Sequence, residues 1–236
     1  MNRRIFLSLS ALTVLSCSPR PFSPRPVRVV IIGDSTAHTY TADEKERGWG
    51  QYISGRFSAN VEVVNLAMCG RSTKTFREEG LWEQALAEKG DWYLIQFGHN
   101  DSHDKGRSES TDAATDFREN LRKYVDEERA AGGRPVLITP VRRRTFNTDG
   151  SLSDILQPYA DSMKLVAREK GIPLVDLHTS SGKLFLKLGD TGSADLSCSP
   201  ADRTHFSEKG ARAIADLVAD ELKTNVKGLG KYIVGK

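Results

Sequence analysis

Long apolar runs and an excess of charge of one sign are both missing from this 236-residue sequence. Hydrophobic residues make up 38% of it and charged residues 28%, and the formal net charge is +3. These values exclude a disordered chain and a protein with several membrane spans. No block of five like charges occurs, nor a basic stripe interleaved with aromatic residues, so no nucleic-acid partner is expected.

Several motifs that would indicate a metal or a nucleotide are absent as well. The sequence has no H-E-x-x-H, no C-x-x-C, no G-x-x-x-x-G-K-[ST] and no G-x-G-x-x-G between a strand and a helix. We therefore expect neither a metal nor a cofactor. The G-x-S-x-G elbow is also missing, which separates the chain from the α/β-hydrolase fold.

The first residues indicate export. Asn2-Arg3-Arg4 precedes an apolar run at 5–15, which is too short to span a bilayer, and small residues follow. The segment 14–17 (VLSC) resembles a bacterial lipobox, which would make Cys17 the lipidated residue; a plain signal peptide is the alternative. We predict a signal peptide over 1–17 and a Pro-rich tether over 18–26. The protein is then expected to be a periplasmic, outer-membrane or cell-surface lipoprotein, or otherwise to be secreted.

Two cysteines remain after Cys17 is assigned to the export segment. Cys69 and Cys198 could form a disulfide in an oxidising compartment, or they could be two small buried thiols. Their separation in sequence does not decide between these alternatives.

Short apolar runs alternate with segments of helical periodicity from residue 27 onward. The runs at 27–32, 61–65, 92–96, 136–139 and 174–176 predict strands. We expect Ser207 to begin the last helix and Gly132 and Gly171 to follow the ends of two others. The alternation predicts one α/β domain over 27–236, a three-layer α/β/α sandwich with a central five-stranded parallel sheet. Three apolar helical faces support this prediction: Phe117, Leu121, Tyr124 and Val125; Ile155, Tyr159, Met163 and Val166; and Ile214, Leu217, Val218 and Leu222.

Polar residues cluster in the loops that follow the predicted strands and in one late loop. These loops are 33–36 (GDST), 65–70 (NLAMCG), 98–101 (GHND) and 202–205 (DRTH). Since the carboxyl ends of parallel strands share one edge of a sheet, we expect the loops to converge on one crevice.

The residue types in these loops suit acyl transfer, which needs a nucleophile, a base, a carboxylate that orients the base, and donors for an oxyanion. Ser35 is the predicted nucleophile, with His205 as its base and Asp202 as the orienting carboxylate. The backbone N–H groups of Ser35 and Gly70 and the side-chain amide of Asn100 are the predicted oxyanion donors. Each residue also has a simpler interpretation, as a turn or loop-capping residue.

The four blocks resemble those of the SGNH (GDSL-type) hydrolases over nearly all of 27–222. Within that superfamily, the sequence is most similar to the rhamnogalacturonan acetylesterases. The motifs that carry this resemblance are GDSTA, NLAxxGRSTKTF, QFGHND, TPVRRRTF and DxTHFxxKGA. The resemblance implies a flavodoxin-like fold, no cofactor, and a serine esterase that removes O-acetyl groups from a plant polysaccharide, first of all the rhamnogalacturonan of pectin.

A basic triplet follows the fourth predicted strand. One or two of Arg142, Arg143 and Arg144 are predicted to bind a galacturonate carboxylate, whereas a solvated basic turn is the ordinary alternative. Trp49, Trp82 and Tyr159 could stack on sugars, although core positions are more common for aromatic residues.

Several other functions remain open at this point. A lysophospholipase or thioesterase of the same superfamily would need a deep apolar groove beside Ser35, and an acetyl-xylan esterase would differ only in the sugar. A sugar-binding lipoprotein would keep the fold without turnover. We expect a monomer whose partner is an acetylated polysaccharide or oligosaccharide and whose contact with a membrane is limited to a lipid anchor.

Overall fold

The computed structural model describes residues 25–235. The predicted signal peptide, the lipidation of Cys17 and most of the predicted tether therefore lie outside the described residues. Arg25 and Pro26, the last two residues of that tether, are exposed.

Five strands form one parallel sheet in the order β2-β1-β3-β4-β5. This confirms the predicted sheet and gives the flavodoxin-like strand order, in which a topological switch point lies between β1 and β3. Every residue of β3 and β4 is buried, as expected for strands covered on both faces. The strands are β1 (Val27–Gly33), β2 (Val61–Asn65), β3 (Trp92–Gln96), β4 (Pro135–Ile138) and β5 (Leu174–Val175).

Helices cover both faces of the sheet, so the three-layer prediction is confirmed. Val29 and Ile31 of β1 join one apolar cluster, whereas Val30 and Ile32 join a second one. The helices are α1 (Thr75–Glu78), α2 (Leu81–Ala87), α3 (Asp116–Ala130), α4 (Gln157–Lys170), α5 (Leu177–Gly192), α6 (Glu208–Asn225) and α7 (Lys227–Gly230). The face of α6 lies in the first cluster and the faces of α3 and α4 in the second.

The predicted helix ends are confirmed by their geometry. The hydroxyl of Ser207 accepts a hydrogen bond from the N–H of Gly210 at 3.2 Å and caps α6. Gly171 follows α4 in the left-handed conformation, with φ 59°.

The assignment of Ile155 to the apolar face of α4 is wrong. The helix begins at Gln157, and Ile155 lies in the preceding turn with 52% of its surface exposed. Pro158 explains the difference, because its ring nitrogen has no proton to donate to a preceding turn, and proline is tolerated only in the first turn of a helix.

Both remaining cysteines, Cys69 and Cys198, are free thiols of intermediate exposure, so they are not paired with each other. None of the helices between residues 25 and 235 combines the length and the apolar character that crossing a membrane requires.

Candidate active site

The nucleophile candidate lies in a tight turn at the carboxyl end of β1. A Cβ atom at Gly33 would come within 2.5 Å of the carbonyl oxygen of Gln96 on β3, so the close approach of these strands requires glycine there. The turn then closes as the N–H of Ala37 donates to the carbonyl of Asp34 at 3.1 Å. Ser35 lies between them with 8% of its surface exposed, beside the switch point of the sheet.

Ser35, His205 and Asp202 form one chain of hydrogen bonds. The Oγ of Ser35 lies 3.0 Å from Nε2 of His205, and Nδ1 of the same ring lies 2.9 Å from Oδ2 of Asp202. The predicted convergence of residues 170 positions apart in the sequence is therefore present in the structure.

Asp202 holds both the ring and the loop that carries it. Its Oδ1 accepts hydrogen bonds from the backbone N–H groups of Thr204 at 2.7 Å and His205 at 2.8 Å. Burial alone would raise the pKa of this carboxyl group, but these bonds and the imidazole of His205 lower it to about 2. The carboxylate is therefore charged at any pH at which a neutral imidazole can act as a base.

Three N–H donors belong to residues that line one cavity, namely Ser35 itself, Gly70 and Asn100. Within residues 25–235, the backbone N–H groups of Ser35 and Gly70 have no acceptor. The side-chain amide of Asn100 donates one N–H to the carbonyl of Arg71 at 2.9 Å, which leaves its second N–H for a ligand. Gly70 has φ 77°, and an added Cβ would meet no atom within 4 Å. Its need for glycine is therefore conformational.

Asp101 fixes the loop that carries Gly70. Its buried carboxylate accepts hydrogen bonds from the backbone N–H of Thr73 at 3.1 Å and from the hydroxyls of Thr73 at 2.5 Å and Thr111 at 2.9 Å. Burial raises the pKa of Asp101 to about 7, although these hydrogen bonds oppose that shift. Asn100 and Asp101 thus fasten the same loop from adjacent positions.

Ser35, Gly70, Asn100 and His205 line one cavity of about 580 Å³. Its lining contains no Leu, Ile, Val, Phe, Met or Trp side chain, and ionisable groups form much of the wall. Sequence reasoning missed Tyr40, Glu44, Glu46 and Cys69 as lining residues. All but Cys69 belong to the loop after Ser35, so their closeness to the nucleophile in sequence was the available signal.

The other histidines have different surroundings. The Nδ1 of His38 lies 2.6 Å from the carbonyl of Ala67, and His103 pairs with Glu109 at 2.7 Å. His178 is buried and lies 2.8 Å from Asp154. The ring nitrogens of the buried His99 have no hydrogen-bond partner within residues 25–235, and none of the four histidines is hydrogen-bonded to Ser35.

The structure separates the three predicted arginines. Arg142 pairs with Asp154 at 2.5 Å, and the buried Arg144 pairs with Asp190 at 2.6 Å, so neither lines the cavity. Arg143 alone does. Of the three arginines that were predicted to bind substrate, Arg143 alone is therefore kept as a candidate.

The core interpretation holds for the aromatic residues. Trp49 is fully buried, and the hydroxyl of Tyr159 donates to the backbone carbonyls of Asp101 and Thr111. Among residues 25–235, no group of His, Cys, Asp or Glu side chains is arranged to hold a metal ion.

The fold and the site together define a carboxylic ester hydrolase of the α/β/α type. A model of the GDSL-like Lipase/Acylhydrolase family matches residues 31–213, so the chain belongs to that family.

Relatives cover most of the chain. It is 37% identical to the rhamnogalacturonan acetylesterase RhgT of Bacillus subtilis (strain 168) over 228 residues, which are 90% of this chain and 96% of RhgT. It is 35% identical to the probable rhamnogalacturonan acetylesterase YesY of the same organism, over 83% of this chain and 92% of YesY. The crystal structure of the Bacillus subtilis protein YxiM superposes with a TM-score of 0.76 and 29% identity, covering 90% of this chain and 59% of that one.

Proposed function

We propose that the protein is a serine carbohydrate esterase that removes O-acetyl groups from acetylated rhamnogalacturonan. The observation that carries the proposal is the hydrogen-bonded chain from Ser35 through His205 to Asp202, at 3.0 and 2.9 Å, beside three N–H donors without internal acceptors. The two relatives named as rhamnogalacturonan acetylesterases, one of them as probable, support the choice of substrate.

The first half-reaction forms an acetyl-enzyme. The Oγ of Ser35 attacks the acetyl carbonyl carbon while its proton passes to Nε2 of His205, and the carbonyl oxygen becomes an oxyanion. The N–H groups of Ser35, Gly70 and Asn100 stabilise that oxyanion, and a single such donor is typically worth about 3 kcal/mol. The imidazolium then gives its proton to the sugar oxygen as the C–O bond breaks, and the deacetylated sugar leaves.

The second half-reaction uses water as the nucleophile. His205 takes a proton from the water, the oxygen attacks the acetyl carbon of the ester on Ser35, and the same three donors hold the second oxyanion. The proton returns to Oγ as acetate leaves. Asp202 keeps its charge throughout, fixes the ring with Nδ1 as the protonated nitrogen and stabilises the imidazolium.

The cavity wall favours a short acyl group on a polar alcohol. A lysophospholipase or thioesterase needs an apolar groove for its chain, and the wall beside Ser35 contains no aliphatic side chain. The polar and ionisable lining suits hydroxyl-rich sugars.

Acetate release tests the proposal. The wild-type protein and Ser35→Ala are incubated with acetylated rhamnogalacturonan from pectin, acetyl-xylan and a long-chain lipid ester, and the acid released is measured, which is acetate from the first two and fatty acid from the third. We expect acetylated rhamnogalacturonan to be the preferred substrate, and Ser35→Ala to lower kcat by several powers of ten. A preference for xylan would move the proposal to an acetyl-xylan esterase. No product from the wild type on any substrate, with sugar binding that Ser35→Ala leaves intact, would instead indicate a sugar-binding protein without turnover.

Export and anchoring remain proposals from the sequence. The pattern over 1–17 supports a signal peptide with Cys17 as the lipidated residue, and the segment 18–26 supports a tether. Radiolabelled palmitate incorporated into the wild type but not into Cys17→Ala would support the lipid anchor. A monomer is proposed for the folded part.

A further inference from the structure

Arg143 is a cation that makes no direct ion pair among the described residues. Its side chain is half-buried and lines the cavity, yet within residues 25–235 the guanidinium has neither an ion pair nor a hydrogen bond. Its Nε is fully shielded from solvent and has no partner. The flanking Arg142 and Arg144 are both paired with carboxylates, so the missing partner is specific to the arginine that faces the cavity.

His99 is a second unpartnered group on the same wall. Only 3% of its surface is exposed, and neither ring nitrogen makes a hydrogen bond of sound geometry, although the Val141 backbone interacts weakly with the ring. Burial and the neighbouring Arg143 hold the pKa of His99 well below its usual value. The ring is therefore neutral and offers one N–H donor. Buried polar groups without partners are rare in proteins and indicate an absent ligand or water.

Two carboxylates act on Arg143 from a distance. Asp34 and Asp202 favour its charged form, whereas burial lowers the pKa of the guanidinium, and within residues 25–235 neither carboxylate forms an ion pair or a hydrogen bond with it. The N–H groups of the guanidinium that reach the cavity are therefore left for an anion.

We propose that Arg143 and His99 form a subsite that binds the carboxylate of an acidic sugar next to the acetylated position. The guanidinium of Arg143 supplies the charge and two parallel N–H donors, and the imidazole of His99 supplies a neutral N–H. Ser35 lines the same cavity as Arg143 and His99, so one sugar chain can present its carboxylate to this wall and its acetyl group to Ser35. The subsite rests on the proposed function, and it selects acidic over neutral acetylated chains.

Binding to a protein that cannot turn over its ligand tests the subsite. Calorimetry on Ser35→Ala compares an acetylated galacturonate oligosaccharide with its carboxyl methyl ester, which has the same shape and no charge. We expect the acid to bind at least 10-fold more tightly than the ester. Arg143→Gln in the same background should bring that ratio close to one. Because the ratio compares two ligands on one protein, a general loss of affinity cancels.

Arg142→Gln is the matched control. It removes the same charge from the adjacent position, but its guanidinium is engaged by Asp154 outside the cavity, so the acid-to-ester ratio should stay at the parental value. His99→Phe keeps a flat ring without the N–H and should lower the ratio by about 3-fold, as expected for one neutral hydrogen bond.

Two outcomes would overturn the carboxylate subsite: equal binding of acid and ester by the parent, or a ratio that Arg143→Gln leaves unchanged. An unchanged ratio in His99→Phe would remove His99 from it. The proposed esterase function is judged separately, by acetate release from the protein with Ser35 intact. Absence of acetate release would end that proposal while the binding ratio still decides the subsite.

Discussion

The carboxyl group of Glu128 lies in the core with no exposed surface, on the face of α3 that also carries Tyr124 and Val125. Neither of its oxygens has a hydrogen-bond partner within residues 25–235. Burial raises its pKa from 4.5 to about 9, against a small opposing effect of Arg129. At neutral pH the folded protein therefore holds a proton on Glu128 that the unfolded chain has released.

This difference makes the stability depend on pH. The raised pKa gives a contribution that is fully present below pH 4.5 and is lost as the pH rises toward about 9. The loss is about 1.4 kcal/mol per pH unit, which amounts to about 3 kcal/mol between pH 4.5 and pH 7. For a protein whose total stability is typically about 5–15 kcal/mol, this is a large fraction.

Glu128→Gln removes the titration and keeps the shape. We expect the variant to match the wild type near pH 4.5 and to exceed it by about 3 kcal/mol at pH 7, with the gap still growing at pH 8. Urea denaturation at these pH values, followed by tryptophan fluorescence, measures the gap. Other perturbed carboxyl groups, such as Asp101, are present in both proteins and cancel. Parallel stability curves for the two proteins across this range would refute the reasoning.

Three further substitutions test the site and its support. Gly70→Ala places a side chain at φ 77°, which costs about 1–2 kcal/mol, and as the Cβ meets no other atom we expect an intact fold and kcat lowered about 10-fold because the strained backbone moves its N–H; wild-type kcat would contradict the conformational need for glycine at this position. Asp202→Asn replaces the acceptor for Nδ1 of His205, so kcat should fall at least 100-fold with little change in the melting temperature, and retained kcat would remove Asp202 from the mechanism. Gly33→Ala puts a Cβ within 2.5 Å of the Gln96 carbonyl, so a lower melting temperature is expected, and an unchanged one would contradict the close approach of β1 and β3.

Much of the fold could be predicted because the strands are read directly from their apolar runs. The bounds of β2 and β3 agree with the prediction, β1 and β5 differ by one residue at one end, and β4 begins and ends one residue earlier than predicted. Buried parallel strands have few alternatives, and their carboxyl ends must share one edge, which is why Ser35 and Asn100 could be placed in one crevice from the sequence alone.

The features of the site and core that the sequence did not predict have a common physical cause. Periodicity and residue type do not say which neighbour a side chain contacts. The three residues at 142–144 are all arginines, yet each has different surroundings. Asp154 pairs with the first of them and Asp190 with the third, and neither aspartate could be assigned to its partner from the sequence. Glu128 continues the apolar spacing of α3, but only tertiary packing buries it. The unpartnered state of His99 likewise depends on the packing of its neighbours.

Active-site labelling tests the central claim most directly. The wild-type protein is treated with a serine-directed organophosphate, digested and mapped by mass spectrometry while residual esterase activity is followed. We predict one adduct per chain, located on Ser35, that appears in proportion to the loss of activity and does not form when Asp202 and His205 are both replaced by alanine. Inactivation with the adduct on another residue, or full activity with Ser35 modified, would contradict the account.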